Sequence, residues 1–329
     1  MTAGHRDAMG VVVRRRRIVL AVGLLAVLAA GCSDGRPAGP GGTAGGRALQ
    51  VVATTTQVAD FARVVGGDRV RVTSLIKPNV DAHDYEPSPA DLDAVARADV
   101  VLRNGVGLED WLDDTIESSG FTGPVVDTSQ GVKLRAGGHA EEGKEQAGGD
   151  EPDPHIWQNP RNAQRMAANV ERALAQAAPD AATRFRANLA AYDRELRDLD
   201  AEVARQIDSL ANKKLVTNHD AFGYYVDRYG LELVGSVIPS FDTSAELSGR
   251  DVRDLVARIR ATKVKAVFTE QSLPPKTAET IAAEAGVKVV AGEGALYGDS
   301  LGPAGSEGDT YVKSIRHNTA TIVSNLSGS

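Results

Sequence analysis

The chain has 329 residues, and its 37 basic and 44 acidic side chains give a formal net charge of −7. This acidic balance, without clustered Lys and Arg, argues against nucleic-acid binding, because contacts to phosphates need concentrated positive charge. The length is sufficient for two domains, each with its own hydrophobic core.

The N-terminal segment has the pattern of an export signal. Arg14 to Arg17 form a basic block, Ile18 to Ala30 are apolar and uncharged, and Gly31 and Cys32 follow. Such an apolar run is too short to span a membrane as a helix, and its flanks are typical of a secretory signal. We therefore expect residues 1–31 to be a signal peptide. Cys32 is the only cysteine, so it cannot form an internal disulfide.

Strand-like and helix-like patterns alternate after a short linker. Residues 32–48 are rich in Gly, Pro and Ala and predict a flexible tether. The alternation that follows predicts parallel sheets covered by helices. We expect an N-terminal α/β lobe over 49–179, one long helix over 180–211, and a C-terminal α/β lobe over 212–329.

The individual elements follow from apolar spacing and from Gly and Pro boundaries. Strands are predicted at 49–54, 70–75, 100–102, 125–127, 214–217, 233–238, 266–270 and 287–290. Helices are predicted at 58–65, 87–98, 107–118, 159–178, 180–211, 222–229, 248–261, 275–285 and 310–326.

One stretch of the N-terminal lobe has no periodicity. Residues 137–154 contain five glycines, four glutamates, two aspartates and a single histidine, His139. This composition predicts a mobile acidic loop. The loop has an accessory role at most, since one histidine among carboxylates binds metal weakly.

Three histidines stand beside turn residues or at the ends of predicted elements. His83 follows a strand and a turn, His155 comes directly after the acidic loop, and His219 follows a strand of the second lobe. Ligands of open α/β sheets bind at the carboxyl ends of strands. Neutral imidazole is the commonest transition-metal ligand and suits zinc. The pattern therefore predicts that distant segments converge on one small cation.

A tetrahedral zinc site with three neutral histidines would gain from one carboxylate. Asp299, in a turn beyond the last strand, is the favoured candidate, and Glu270, at the end of a strand, is the alternative. Acceptors for the outer N–H of each ligating ring could come from Asp84, Glu86 or Asp220. Separately, Trp157, Phe222, Tyr224 and Tyr225 are predicted to be core residues, and His317 to be exposed on the last helix.

Several motifs of the chain resemble those of a known family, the cluster A-I solute-binding lipoproteins of metal ABC importers. This family includes zinc and manganese types. The resemblance covers about residues 49–326. The motifs that carry it are Ala53-Thr54-Thr55, Ala82-His83-Asp84-Tyr85-Glu86-Pro87, Asp153-Pro154-His155-Ile156-Trp157, Asn218-His219-Asp220-Ala221-Phe222-Gly223-Tyr224-Tyr225, Phe268-Thr269-Glu270 and Gly298-Asp299-Ser300-Leu301-Gly302.

The resemblance implies two parallel-sheet α/β lobes joined by one long rigid helix, with the metal site in the cleft between them. It also implies that His83, His155, His219 and Asp299 are the metal ligands. Manganese-type members tend to have Glu at the position of His219, so His219 favours zinc. The zinc members often have a His-rich loop where this chain has its acidic loop.

The resemblance further implies an extracytoplasmic protein that captures Zn²⁺ and delivers it to the membrane permease of an ABC importer. Ala29-Ala30-Gly31-Cys32 looks like a bacterial lipobox, which implies that a lipid on Cys32 anchors the protein to the cell membrane. We expect a monomer.

Two alternatives remain. One is a manganese-binding member of the same family. The other is a zinc hydrolase with three histidine ligands and a bound water. The second is disfavoured because Asp299 would complete the coordination shell and because no His-Glu-x-x-His motif is present. We therefore expect no enzymatic activity.

Overall fold

The computed structural model describes residues 47–135 and 151–327. The predicted signal peptide, Cys32, the greater part of the tether and His139 of the acidic loop lie outside the described residues. Among the residues that are described, no helix combines the length and the apolar character needed to cross a membrane.

The described residues form strands and helices that alternate along the chain. The strands are β1 (Leu49–Ala53), β2 (Val70–Ser74), β3 (Val100–Arg103), β4 (Val125–Asp127), β5 (Lys214–His219), β6 (Glu232–Ile238), β7 (Ala266–Phe268) and β8 (Lys288–Val290). The helices are α1 (Thr56–Gly66), α2 (Pro89–Ala96), α3 (Leu112–Ser119), α4 (Pro160–Ala177), α5 (Ala182–Asp208), α6 (Gly223–Tyr229), α7 (Gly249–Thr262), α8 (Lys276–Ala285) and α9 (Tyr311–Leu326).

The N-terminal lobe is built on a parallel sheet with the strand order β2-β1-β3-β4. Strand β1 reads Leu-Gln-Val-Val-Ala and is almost wholly buried, as expected for a strand covered on both faces. Helix α1 follows it directly, and the side chain of Thr55 caps this helix by accepting from the backbone N–H of Val58. Only two residues therefore separate the end of strand β1 from the start of helix α1.

The C-terminal lobe uses the same parallel pairing in smaller units. Strand β5 pairs with β6, and β7 pairs with β8. Helices α7 and α8 pack against β6, β7 and β8. The capping box of Ser248 and Asp251 begins α7. The prediction of an α/β fold with two parallel-sheet lobes is therefore confirmed.

Helix α5 has 27 residues, a length of about 40 Å at the usual rise of 1.5 Å per residue. It packs against α1 and α4 and also against α6 and α9. It begins two residues later than predicted, because Pro179–Ala181 form a separate 3-10 turn.

The predicted helix over 107–118 is wrong in its first turn, since α3 begins only at Leu112. Gly105, Val106 and Gly107 have φ values of 87°, 60° and 76°, which no right-handed helix contains. The buried carboxylate of Glu109 accepts from the backbone N–H groups of Asn104 and Gly105. Apolar spacing alone could not reveal that this side chain bonds to the backbone of a turn.

Candidate metal centre

Four side chains from distant segments meet at the carboxyl ends of the strands. His83 lies in the loop between β2 and α2, and His155 lies just before α4, both in the N-terminal lobe. His219 is the last residue of β5, and Asp299 lies in the loop between β8 and α9. Two of the four groups therefore come from each lobe. His155, His219 and Asp299 are fully buried, and His83 is partly buried.

The four groups present one donor atom each to a common centre, all within 4.8 Å of one another. The Nε2 atom of His155 lies 3.2 Å from that of His83 and 3.3 Å from that of His219. Oδ1 of Asp299 lies 3.4 Å from Nε2 of His155 and 3.2 Å from Nε2 of His219. Tetrahedral zinc with bonds of about 2.0 Å separates its ligand atoms by about 3.3 Å. Four of the six distances between the donor atoms therefore match a small tetrahedral site.

Two of the rings are oriented by carboxylates in the same way. Oδ1 of Asp153 accepts from the backbone N–H of His155 at 2.9 Å and lies 2.8 Å from the Nδ1 atom of that ring. Oε1 of Glu270 is placed likewise, 3.0 Å from the backbone nitrogen of His219 and 2.8 Å from its Nδ1 atom. When a neutral ring donates its Nδ1–H to a carboxylate, the lone pair of Nε2 faces the centre.

The electrostatics of the site favour positive charge. Burial lowers the pKa of His155, but the nearby carboxylates of Asp153 and Asp299 outweigh burial and raise that pKa to about 9. The pKa of His219 is raised well above its ordinary value, since Asp299 and Glu270 outweigh the effect of burial. Burial lowers the pKa of His83 to about 4. The carboxylates of Asp153, Asp299 and Glu270 therefore favour positive charge on the two inner rings, those of His155 and His219. The outer ring, that of His83, stays neutral.

Asp299 is held through its backbone, and its carboxylate is left for the centre. Gln57 Nε2 donates to the Asp299 carbonyl at 3.0 Å. Trp157 Nε1 and Gln158 Nε2 both donate to the Gly298 carbonyl at 3.0 Å. No donor among the described residues makes a hydrogen bond of good geometry to either carboxylate oxygen of Asp299, although both are buried. A cation at the centre would compensate this charge.

A narrow mouth of about 130 Å³ leads from the surface to His83. The residues that line it are His83, Val106, Gly107, Leu108, Asp110, Trp111, Glu151, Pro152, Pro154, Phe241 and Asp242. The loop that follows β6 crosses this region, and Thr243 Oγ1 donates to Asp81 Oδ2 of the other lobe at 2.6 Å. Of the four groups, only His83 lines this mouth.

Some sequence predictions about the surroundings were wrong. None of Asp84, Glu86 and Asp220 is the acceptor of an inner ring, because Asp153 and Glu270 take that position. Glu270, the alternative ligand, lies behind His219 rather than at the centre. The signal for Asp153 was its place two residues before His155, across a proline.

The aromatic residues near the histidines are core residues, as predicted. Trp157, Phe222, Tyr224 and Tyr225 are all at most 5% exposed. His317 was predicted to be exposed but is half-buried. Its ring packs on Tyr297, and its Nε2 lies 3.0 Å from the Ala295 carbonyl oxygen.

Comparison with known proteins gives a consistent result. A family model described as the periplasmic zinc-uptake complex component A, ZnuA, matches residues 51–325. The manganese-binding lipoprotein MntA of Bacillus subtilis is 35% identical over 283 residues, which cover 84% of this chain and 90% of MntA. The zinc-binding protein TroA of Treponema pallidum is 32% identical over 280 residues, or 84% of this chain and 88% of TroA.

The solved structure of periplasmic zinc-binding TroA matches with a TM-score of 0.77 and 30% sequence identity, covering 86% of this chain and 100% of TroA. The fold and the site thus define a two-lobed solute-binding protein with a metal site in the cleft. The chain belongs to the family of zinc-uptake complex component A. It is the substrate-binding component of a metal ABC transporter and not an enzyme.

Proposed function

We propose that this protein captures Zn²⁺ outside the cytoplasm with His83, His155, His219 and Asp299, and delivers the ion to the membrane permease of an ABC importer. The observation that carries the proposal is the spacing of the donor atoms, which is 3.2 to 3.4 Å along four of the six edges of the site. Three imidazoles and one carboxylate form the nitrogen-rich tetrahedral shell that zinc accepts readily.

Capture without catalysis follows from this shell. A catalytic zinc site keeps an open position for water, whereas four protein groups close the tetrahedron. Oδ1 of Asp299 adds the negative charge that three neutral rings lack. The ion is then held by groups from both lobes, so release requires one lobe or one ligand-bearing loop to move.

The proposed domain division explains how such movement is limited. The lobes span 49–179 and 212–329, and the helix over 180–211 joins them. Helix α5 packs along elements of both lobes, and so we propose small tilts and loop movements rather than wide hinge opening. The protein acts as a monomer in this proposal, and a lipid on Cys32 keeps it at the cell membrane beside the permease.

Manganese is the second candidate cargo. The observation that favours it is the 35% identity to a relative named as manganese-binding. Against it, manganese prefers oxygen ligands and octahedral geometry, and this site offers a single carboxylate beside three nitrogens.

Elemental analysis of the purified protein, followed by competition between zinc and manganese, tests the proposal. We expect one zinc per chain and displacement of manganese by equimolar zinc. Retention of manganese in the presence of excess zinc would favour the second candidate. Absence of any tightly bound divalent ion would overturn the proposed ligand set.

A further inference from the structure

Arg135 makes a buried ion pair behind one side of the metal centre. Its Nη1 atom donates to Oδ2 of Asp153 at 3.0 Å, and its Nε donates to Oδ2 of Asp227 at 2.8 Å. The side chain of Arg135 is 15% exposed and that of Asp153 is fully buried. The backbones of Arg135 and Asp153 are also joined, since Asp153 N–H donates to the Arg135 carbonyl.

The carboxylate that Arg135 holds is the one that orients His155. Oδ1 of Asp153 accepts from the backbone and Nδ1 of His155, while Oδ2 accepts from Arg135. The side chain of Asp153 therefore has donors on both oxygens. With both oxygens engaged, the carboxylate cannot rotate without losing a hydrogen bond.

The other lobe leaves space for this ion pair through a glycine. A Cβ atom on Gly223, the first residue of α6, would lie 2.0 Å from Arg135 Nη1 and 2.8 Å from Asp153 Oδ2. Tyr224 on the same helix accepts from the backbone N–H of Arg135 and donates to the Asp153 carbonyl. The start of α6, in the C-terminal lobe, therefore packs closely against the ion pair of Arg135 and Asp153.

The equivalent carboxylate of the other inner ring lacks such an anchor. Oε1 of Glu270 accepts from His219, but Oε2 has no hydrogen-bond partner in the part of the chain that the structure describes. It faces Gly298, where a Cβ atom would lie 1.8 Å away. Arg135 therefore supports one ring and not the other.

We propose that Arg135 is a positioning residue for cation binding, which fixes the His155 ring by holding Asp153 from behind. This inference rests on the proposed function, in which His155 is a metal ligand. Partners of ligating histidines commonly change metal affinity by about 10–100-fold when they are replaced. Arg135 acts one step further out, and its effect is carried by the orientation of Asp153.

The test compares zinc affinity and ring dynamics in the intact wild-type protein and in Arg135→Gln. We expect about a tenfold weaker affinity, measured by competition with a chromophoric chelator. In the zinc-loaded protein, nitrogen-15 NMR should show faster solvent exchange of the His155 Nδ1 proton in the variant. The Nδ1 proton of His219 should be unchanged, which makes it an internal control.

Two further variants separate positioning from general destabilisation. Gly223→Ala retains the charge of Arg135 but displaces its guanidinium, so we expect the same change confined to His155. Arg228→Gln is the matched control for Arg135→Gln. Arg228 lies on α6, as Gly223 does, and its guanidinium pairs with the largely buried carboxylate of Asp200 without touching the site. It should leave affinity within about twofold, below the effect of a ligand's partner.

The inference would be overturned if Arg135→Gln bound zinc like the wild type, or if the Nδ1 protons of His155 and His219 exchanged faster to the same extent. The proposed function has a separate test, since His155→Ala must lose tight binding. If His155→Ala binds zinc normally, the ligand assignment fails. If His155→Ala loses binding and Arg135→Gln does not, only the inference about Arg135 fails.

Discussion

The two inner histidines are presented to the metal centre by the same device with different support. In each case one carboxylate oxygen receives both the backbone N–H and Nδ1 of the histidine. Asp153 is then anchored by Arg135 through its second oxygen, whereas the second oxygen of Glu270 has no donor among the described residues. The difference shows that the orientation of a ligand can depend on its own partner or on a chain of partners.

The largest expected effect on zinc affinity comes from removing the ring of His155 or that of His219. His155→Ala and His219→Ala should each weaken zinc binding by more than about 100-fold, beyond the usual effect of an outer partner. Competition titration measures both values. His317→Ala is the control, because that ring lies on α9 outside the site. Loss of zinc affinity in only one of these two variants would mean that His155 and His219 are not equivalent as ligands.

The outer carboxylates should differ in a graded way. In the wild type, one oxygen of Asp153 accepts from His155 and the other accepts from Arg135. The amide of Asp153→Asn has a single acceptor oxygen, so either His155 or Arg135 loses its partner. Glu270→Gln retains the acceptor that His219 uses and changes only the oxygen without a donor. We expect about 100-fold weaker zinc binding for Asp153→Asn and about 10-fold for Glu270→Gln. Equal losses of zinc affinity in the two variants, measured by the same titration, would show that the anchored Asp153 and the unanchored Glu270 support their histidines equally.

Another buried carboxylate, that of Asp60 on α1, shows what burial does to a pKa without a histidine partner. Burial raises its pKa to about 6, although Oδ2 accepts from the Tyr311 backbone N–H. A raised carboxyl pKa in the folded state contributes stability that is fully present below about pH 4 and is lost as pH rises through 6.

Asp60→Asn should therefore be more stable relative to the wild type at pH 7 than at pH 4. The difference in free energy of unfolding should change by about 2 kcal/mol between these pH values. Chemical denaturation in the presence of a chelator measures it, since bound metal would otherwise dominate the stability. A difference that does not vary with pH would show that the pKa of Asp60 is the same in the folded and unfolded states.

The contact between Thr243 and Asp81 joins the lobes beside His83. Thr243→Val removes the hydrogen bond at 2.6 Å, which is worth about 1 kcal/mol. We expect zinc to dissociate about fivefold faster in stopped-flow measurements with a chelator. Ser244→Ala is the control on the same loop. An unchanged dissociation rate would mean that this contact does not limit release.

The smallest effect is expected from deletion of residues 138–149. The four proposed ligands, Asp153 and Arg135 all lie outside this stretch, so one tight zinc site should remain with unchanged affinity. Isothermal titration measures both stoichiometry and affinity. Loss of the tight site would mean that the acidic loop supplies a ligand.

Much of the site could be predicted because its residues stand in local patterns. His83, His155 and His219 lie beside turns or at strand ends, and Asp299 follows the last strand. These are positions that an open α/β fold brings together at one edge. The alternation of strands and helices likewise predicted both lobes and the long helix α5.

The support behind the site could not be predicted in the same way. Arg135, Asp153 and Gly223 lie far apart in the sequence, and no periodicity relates them. Their contacts depend on how α6 of one lobe packs against a loop of the other. The turn at 104–107 was missed for a related reason, since its shape depends on the distant end of the Glu109 side chain.

That turn has an evolutionary consequence. Val106 has a φ of 60° and lines the mouth beside His83, and a branched residue in this conformation costs about 1–2 kcal/mol. A library of Val106 substitutions selected for heat resistance should enrich glycine, whereas one selected for retention of cargo should keep an aliphatic wall. Residue 106 would then be under two opposing selection pressures, one for thermal stability of the fold and one for shielding of the bound ion.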